Sequence, residues 1–205
     1  TLVLAPLTLG ACDSATDDRP EIIETHGVSV HRDSLAAELR LFIWPDYMDP
    51  GITAEFERIY GTRAVIHNYD NNEALIAKLM AGGSGQYDVV VASDYAVEVL
   101  HADSLLLPLE HARLPNLENL EARFRSMPFD FGNRYTATYQ WGTSGLGIRT
   151  DMLDDTTDLD SWALVFDPER QPGPFTMLAD ARETVGAELF GHGEPSLNCR
   201  RARRA

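Results

Sequence analysis

From Leu39 the chain reads Leu-Arg-Leu-Phe-Ile-Trp44, an alternation that closes in an unbroken apolar run and predicts a buried strand. Pro45-Asp-Tyr-Met-Asp-Pro-Gly51 then carries turn chemistry. Ile52, Phe56 and Ile59 recur at helical spacing, and Gly61 stands where a left-handed cap ends such a helix. A short strand is expected over 62–67. Asn71 or Asn72 can cap a helix over 73–81 whose Leu75, Ile76, Leu79 and Met80 share one face, and Gly82-Gly-Ser-Gly85 ends it. The β-branched run in Tyr87-Asp-Val-Val-Val-Ala92 predicts a strand buried on both faces, and 94–102 reads as the next helix. Strand and helix thus alternate, which argues for an open α/β sheet of parallel strands.

Beyond this the pattern loosens. Residues 103–134 are irregular and carry Pro108, Pro115 and Pro128. Residues 135–141 alternate, Gly142-Thr-Ser-Gly145 interrupts, and 146–149 resume an extended run, so the stretch reads as a hinge strand. A short helix over 161–166, a strand over 174–178 and a helix over 180–190 are expected. There is no internal repeat.

Composition narrows the class. Apolar residues make up 44% of the 205 positions and charged residues 24%, which suits a globular chain. The net charge of -15 argues against nucleic acid, whose phosphates need a basic surface, and leaves room for a cationic ligand. No apolar run is long enough to cross a membrane. Cys12 and Cys199 sit near opposite ends, so a structural disulfide is not expected, and the six histidines have no metal-ligand spacing. Gly82-Gly-Ser-Gly85 follows a helix and lacks a Lys at its end, the wrong order for a phosphate loop; Gly142-Thr-Ser-Gly145 fails the spacing of a nucleophile elbow. Neither a metal, a cofactor nor an enzymatic centre is therefore expected.

The two ends have their own chemistry. The chain opens on Thr, and residues 1–12 read as the tail of a secretion signal, with Leu9-Gly-Ala-Cys12 resembling a bacterial lipobox. On that reading Cys12 carries a lipid anchor, Asp13 after it resembles an inner-membrane retention signal, and 13–38 form an acidic, polar tether. At the other end, four Arg fall within the last six positions of a chain with a single Lys, Lys78. Residues 198–205 are expected to be a frameshift or truncation tail, the rival being a genuine basic tail.

In an open α/β sheet, ligands sit at the carboxyl ends of the strands. One such end supplies Trp44, Asp46 and Tyr47, another Ser93, Asp94 and Tyr95. Each pairs an aromatic face with polar oxygens, which suits a cation held by a ring and a carboxylate. The alternative is ordinary: Trp44 as core, Asp46 in a turn and Asp94 at a helix cap. Asp180 and Glu183 have the same two readings, as one helix face gripping an ammonium or as a capping box.

Five segments in this order resemble the periplasmic spermidine/putrescine-binding proteins, the receptors of ABC-type polyamine importers. They are Leu41-Phe-Ile-Trp-Pro-Asp-Tyr47, Gln86-Tyr-Asp-Val-Val-Val-Ala-Ser-Asp-Tyr95, Tyr139-Gln-Trp-Gly-Thr-Ser-Gly-Leu-Gly147, Ser161-Trp162 with Asp167-Pro-Glu169, and Ala179-Asp-Ala-Arg-Glu183. The resemblance spans 39–190 and implies a clamshell of two α/β lobes closing on an extended polyamine. It divides the chain into a first lobe over 39–141, a hinge at 142–145 and the start of a second lobe over 146–197, the rest of that lobe being absent. It further implies that Trp44 and Tyr47 line an aromatic box, that Asp46, Ser93 and Tyr95 add polar contacts, and that Asp180 and Glu183 bind an ammonium end. The implied partners are spermidine or putrescine and a membrane permease, with the protein a periplasmic monomer. Other readings left open are a receptor for another small solute and a non-functional truncated product. Pro45 and Thr138 depart from the family pattern, in a position where some members carry a hydroxyl residue and in one where Pro is usual.

Overall fold

The structure is a computed structural model, and it describes residues 21–154 and 159–191. Two strands, β1 (Ile22–Thr25) and β2 (Val28–His31), form an antiparallel hairpin. They are followed by β3 (Glu38–Ile43), α1 (Pro50–Tyr60), β4 (Arg63–Asn68), α2 (Asn72–Met80), β5 (Val89–Val90) and α3 (Asp94–Ala102). After a run of short 3-10 turns come α4 (Ala163–Phe166) and α5 (Ala181–Gly191).

The expected parallel sheet is present, in the order β4-β3-β5. Glu38 pairs with Arg63 at one end of the β3–β4 register and Ile43 with Asn68 at the other; Leu41 and Phe42 pair with Val89 and Val90. Both parallel connections run through a helix, as parallel pairing requires. Phe42 is buried with Tyr69, Leu75, Leu79 and Leu100 in the core between the sheet and the α2–α3 pair. Leu41 and Ile43, also buried, alternate to the opposite face, toward α1.

Local chemistry sets the helix ends. The Asp49 carboxylate accepts from the Gly51 N–H at 2.6 Å, Pro50 fills the first turn, and Gly61 caps α1 in the left-handed region at φ 71°. Of the two candidate caps for α2, Asn71 does the work, accepting from the Ala74 N–H at 2.9 Å. Gly83 then passes so close to the Lys78 carbonyl that an added Cβ would lie 2.4 Å from it.

Four expectations need correction. The tether read over 13–38 contains the β1–β2 hairpin, whose turn residues His26 and Gly27 both have positive φ (49° and 75°), as two-residue hairpin turns prefer. The hairpin is fastened to the body, with the Asn116 carboxamide donating to the His26 carbonyl at 2.9 Å and Arg32 donating to the Tyr60 carbonyl at 2.9 Å. Val89, Val90 and Val91 are not buried on both faces: Val89 is 43% exposed. Their strand pairs with β3 alone among the described residues, so its outer edge stays open. Residues 136–149 and 174–178 form no strand. An extended run becomes a strand only where another backbone aligns with it, and among the described residues these find none.

Candidate functional site

Trp44 follows the last residue of β3 and turns onto the α2–α3 side of the sheet, where its ring lies 4.7 Å from that of Tyr69. Tyr47, three residues on, stands 6.2 Å from Trp44 and is 41% exposed. Between them Asp46 takes a positive φ of 60°, a conformation that Asp tolerates better than most residues, and its side chain is exposed. The loop is held from a distance: the Tyr139 hydroxyl donates to the Tyr47 carbonyl at 2.8 Å and the Gln140 carboxamide donates to it at 3.3 Å.

The second strand end is organised by Asn72, fully buried at the start of α2. Its amide donates to Ser93 Oγ at 3.0 Å and its carbonyl oxygen accepts from the Ser93 N–H at 3.2 Å. Ser93 stands at the N-cap of α3 but makes no side-chain cap, because its hydroxyl is turned to Asn72. The Tyr95 hydroxyl donates to Glu73 at 3.2 Å.

Tyr69 joins the two ends. Its ring packs on Phe42 and Trp44, and its hydroxyl donates to the Val91 carbonyl. Burial raises its pKa well above the ordinary phenol value, with the neighbouring phenols Tyr47 and Tyr95 adding to the effect. Burial is also the main reason the Tyr95 pKa is pushed up to about 12; Asp180 and Glu73 push the same way and Asn72 against them. Trp44, Tyr47, Tyr69, Ser93 and Tyr95 therefore gather along one edge of the sheet, and Asp180 approaches closely enough to act on Tyr95.

The acidic pair of α5 divides its roles. Asp180 is buried, and its Oδ1 accepts from the Arg182 and Glu183 N–H groups at 3.0 Å each, so it is the helix cap. Glu183 is exposed and does not complete a capping box; its Oε2 accepts from the Ser144 hydroxyl at 2.6 Å. Ser144 belongs to the small-residue stretch read as the hinge, so 139–144 touch the Tyr47 loop at one end and α5 at the other.

A cleft of about 330 Å³ also borders Trp44 and Asp46, but on the α1 side, among Ile43, Pro50, Thr53 and Ile66. It does not reach Ser93, Tyr95 or α5, so the aromatic edge is the site where the chemistry converges. Sequence reasoning missed Tyr69, Glu73, Ser144 and Arg182. Tyr69 had a usable signal, since it follows the end of β4 as Trp44 follows the end of β3. Cys12 lies outside the described residues.

Comparison with known proteins decides what this arrangement is related to. The spermidine/putrescine-binding periplasmic protein of Salmonella typhimurium is 31% identical over 163 residues, which cover 80% of this chain and 46% of that protein. The chain is a homologue of the spermidine/putrescine-binding periplasmic proteins. The putrescine/cadaverine-binding protein of Pseudomonas aeruginosa is 38% identical, over 77% of this chain and 46% of its own length. A solved structure described as a spermidine/putrescine ABC transporter from Listeria monocytogenes superposes with a TM-score of 0.69 at 34% identity, covering 78% of this chain and 49% of that one. Residues 34–125 also match the model of a hypothetical lipoprotein family (MG045 family). The fold is thus that of the periplasmic binding proteins, and the chain spans about half the length of the relatives it matches. The relative's name places it in the periplasm and the matched family model is of a lipoprotein, in line with the expected periplasmic location.

Proposed function

We propose that the chain captures a short linear polyamine, spermidine or putrescine, for delivery to an ABC-type membrane permease, and that it does so by binding, without chemistry. One observation carries the reading: the rings of Trp44, Tyr47, Tyr69 and Tyr95 line one sheet edge that Asp180, at the start of α5, approaches, with Glu183 one turn on held by Ser144. A polyamine is a chain of methylenes between cations. Rings suit the methylenes and the faces of the cations, and carboxylates suit the ammonium ends. The ligand set remains Trp44, Asp46, Tyr47, Ser93, Tyr95, Asp180 and Glu183. Cys12 as lipid anchor and a monomeric state belong to the same proposal.

Affinity should be modest. Asp46 and Glu183 are exposed, so an ion pair formed at either stays hydrated and contributes about 0.2–1 kcal/mol, well below a desolvated one. Titration calorimetry with putrescine and spermidine should give dissociation constants from roughly the high micromolar to the millimolar range, weakening as salt rises. Trp44→Ala and Glu183→Gln should each weaken binding further. A chain that ignores both polyamines but takes up an anion or a sugar would refute the proposal.

A further inference from the structure

The pair read as ligand carboxylates, Asp180 and Glu183, has a cation between its members. Arg182 extends from the first turn of α5 across to α3, and its guanidinium lies 4.6 Å from the centre of the Tyr95 ring. This is cation-on-ring geometry within the reach at which such contacts are attractive. Among the described residues Arg182 makes no ion pair, and its buried Nε has no hydrogen-bond partner. A guanidinium so placed gains the ring face but loses a water-facing donor, and a buried donor left unmade is costly. The position is therefore one the side chain can leave, because swinging into water restores the missing hydrogen bond.

We infer that Arg182 is an internal stand-in for ligand: its guanidinium occupies the Tyr95 face that a polyamine ammonium would use, and binding has to displace it. The inference rests on the polyamine reading above. Two cations on one ring face repel each other, and a protonated amine has no lone pair to offer the Nε–H, so an incoming ammonium cannot satisfy Arg182 where it stands. Displacement makes Arg182 a residue that sets affinity, lowering it equally for every amine that uses the Tyr95 face. The same contact ties α5 to α3.

The experiment combines calorimetry and nuclear magnetic resonance on the chain and on Arg182→Ala and Arg182→Gln. Putrescine should bind both variants about three- to tenfold more tightly than the unaltered chain, the range expected for removing one competing ring contact. Butylamine should gain by a similar factor, because the contact displaced is the same for both amines. In the unaltered chain the Arg182 side-chain resonances should show the upfield ring-current shift of a group over an aromatic face, and saturating putrescine should abolish it. If the unaltered chain binds putrescine but both variants bind equally or more weakly, or if the ring-current shift survives saturation, Arg182 is not displaced and the inference falls while the polyamine reading stands. If neither the chain nor the variants bind putrescine or spermidine, the polyamine reading falls and takes the inference with it.

Discussion

Asn72 and Ser93 exchange two hydrogen bonds across twenty-one positions of sequence, at 3.0 and 3.2 Å, and so lock the start of α2 to the start of α3. The pair sits beneath the site edge and sets where Tyr95 emerges. It also makes Ser93 a shared residue, because its oxygen is an acceptor for Asn72 while its hydroxyl proton remains free to donate.

Replacing Asn72 with Ala should leave the Ser93 N–H without its partner in a buried setting. That costs about 1–3 kcal/mol, and urea unfolding should show it. Asn72→Asp keeps the acceptor but loses the donor and adds a buried charge, so it should not restore stability. An Ala variant as stable as the parent would mean that water or a shifted Ser93 replaces both bonds.

The buried cap on α5 allows the two readings of Asp180 to be separated. Asp180→Ala should remove the acceptor for the Arg182 and Glu183 N–H groups and destabilise the helix by about 1 kcal/mol. Amide exchange in α5 should then quicken by roughly fivefold for that loss. Asp180→Asn keeps a cap of similar strength and should leave exchange nearly unchanged. If the charge also holds an ammonium, the Asn variant should still bind putrescine more weakly.

Tyr95 makes the alkaline limit of stability predictable in sign. Its folded pKa is pushed up to about 12, chiefly by burial, against about 10 in an unfolded chain. Above about pH 10 the unfolded state therefore releases this proton first, so stability is complete below that pH and declines as pH rises toward about 12. Tyr69, raised for the same reason, acts in the same direction. Phenolate absorbance should show Tyr69 and Tyr95 ionising above the ordinary phenol range. Tyr95→Phe should flatten the alkaline decline measured by chemical denaturation, and an unchanged slope would contradict the assignment.

Leu75 probes the core that carries the site. It is fully buried against Phe42, Tyr69, Leu79 and Leu100, on the helix that presents Asn72 and Glu73. Leu75→Ala should cost about 2–5 kcal/mol in an unfolding titration. Met80→Ala, five residues on but 57% exposed, should fall within about 0.5 kcal/mol of the parent. Equal losses at the two positions would mean that α2 packs by another face.

What could be read along the chain was what neighbouring residues decide. The alternation around Leu39–Ile43, the spacing of Ile52, Phe56 and Ile59, the left-handed Gly61 and the cap at Asn71 each depend on a few adjacent positions, and each stands where the pattern placed it. That Trp44 and Ser93 would come to the same end of the sheet was legible for a related reason, since strand ends in a parallel sheet converge on one edge whatever the loops do. Tertiary structure decided the rest. Whether 136–149 and 174–178 become strands depends on a distant backbone to pair with, and Val89 is exposed because no strand among the described residues pairs beyond β5. The β1–β2 hairpin holds where a tether was expected because Asn116, ninety positions away, receives it. The division of labour between Asp180, buried as a cap, and Glu183, turned to Ser144, depends on the orientation of α5. So does the placement of Arg182 over Tyr95, because a contact across eighty-seven positions leaves no periodic trace in the sequence on either side of it.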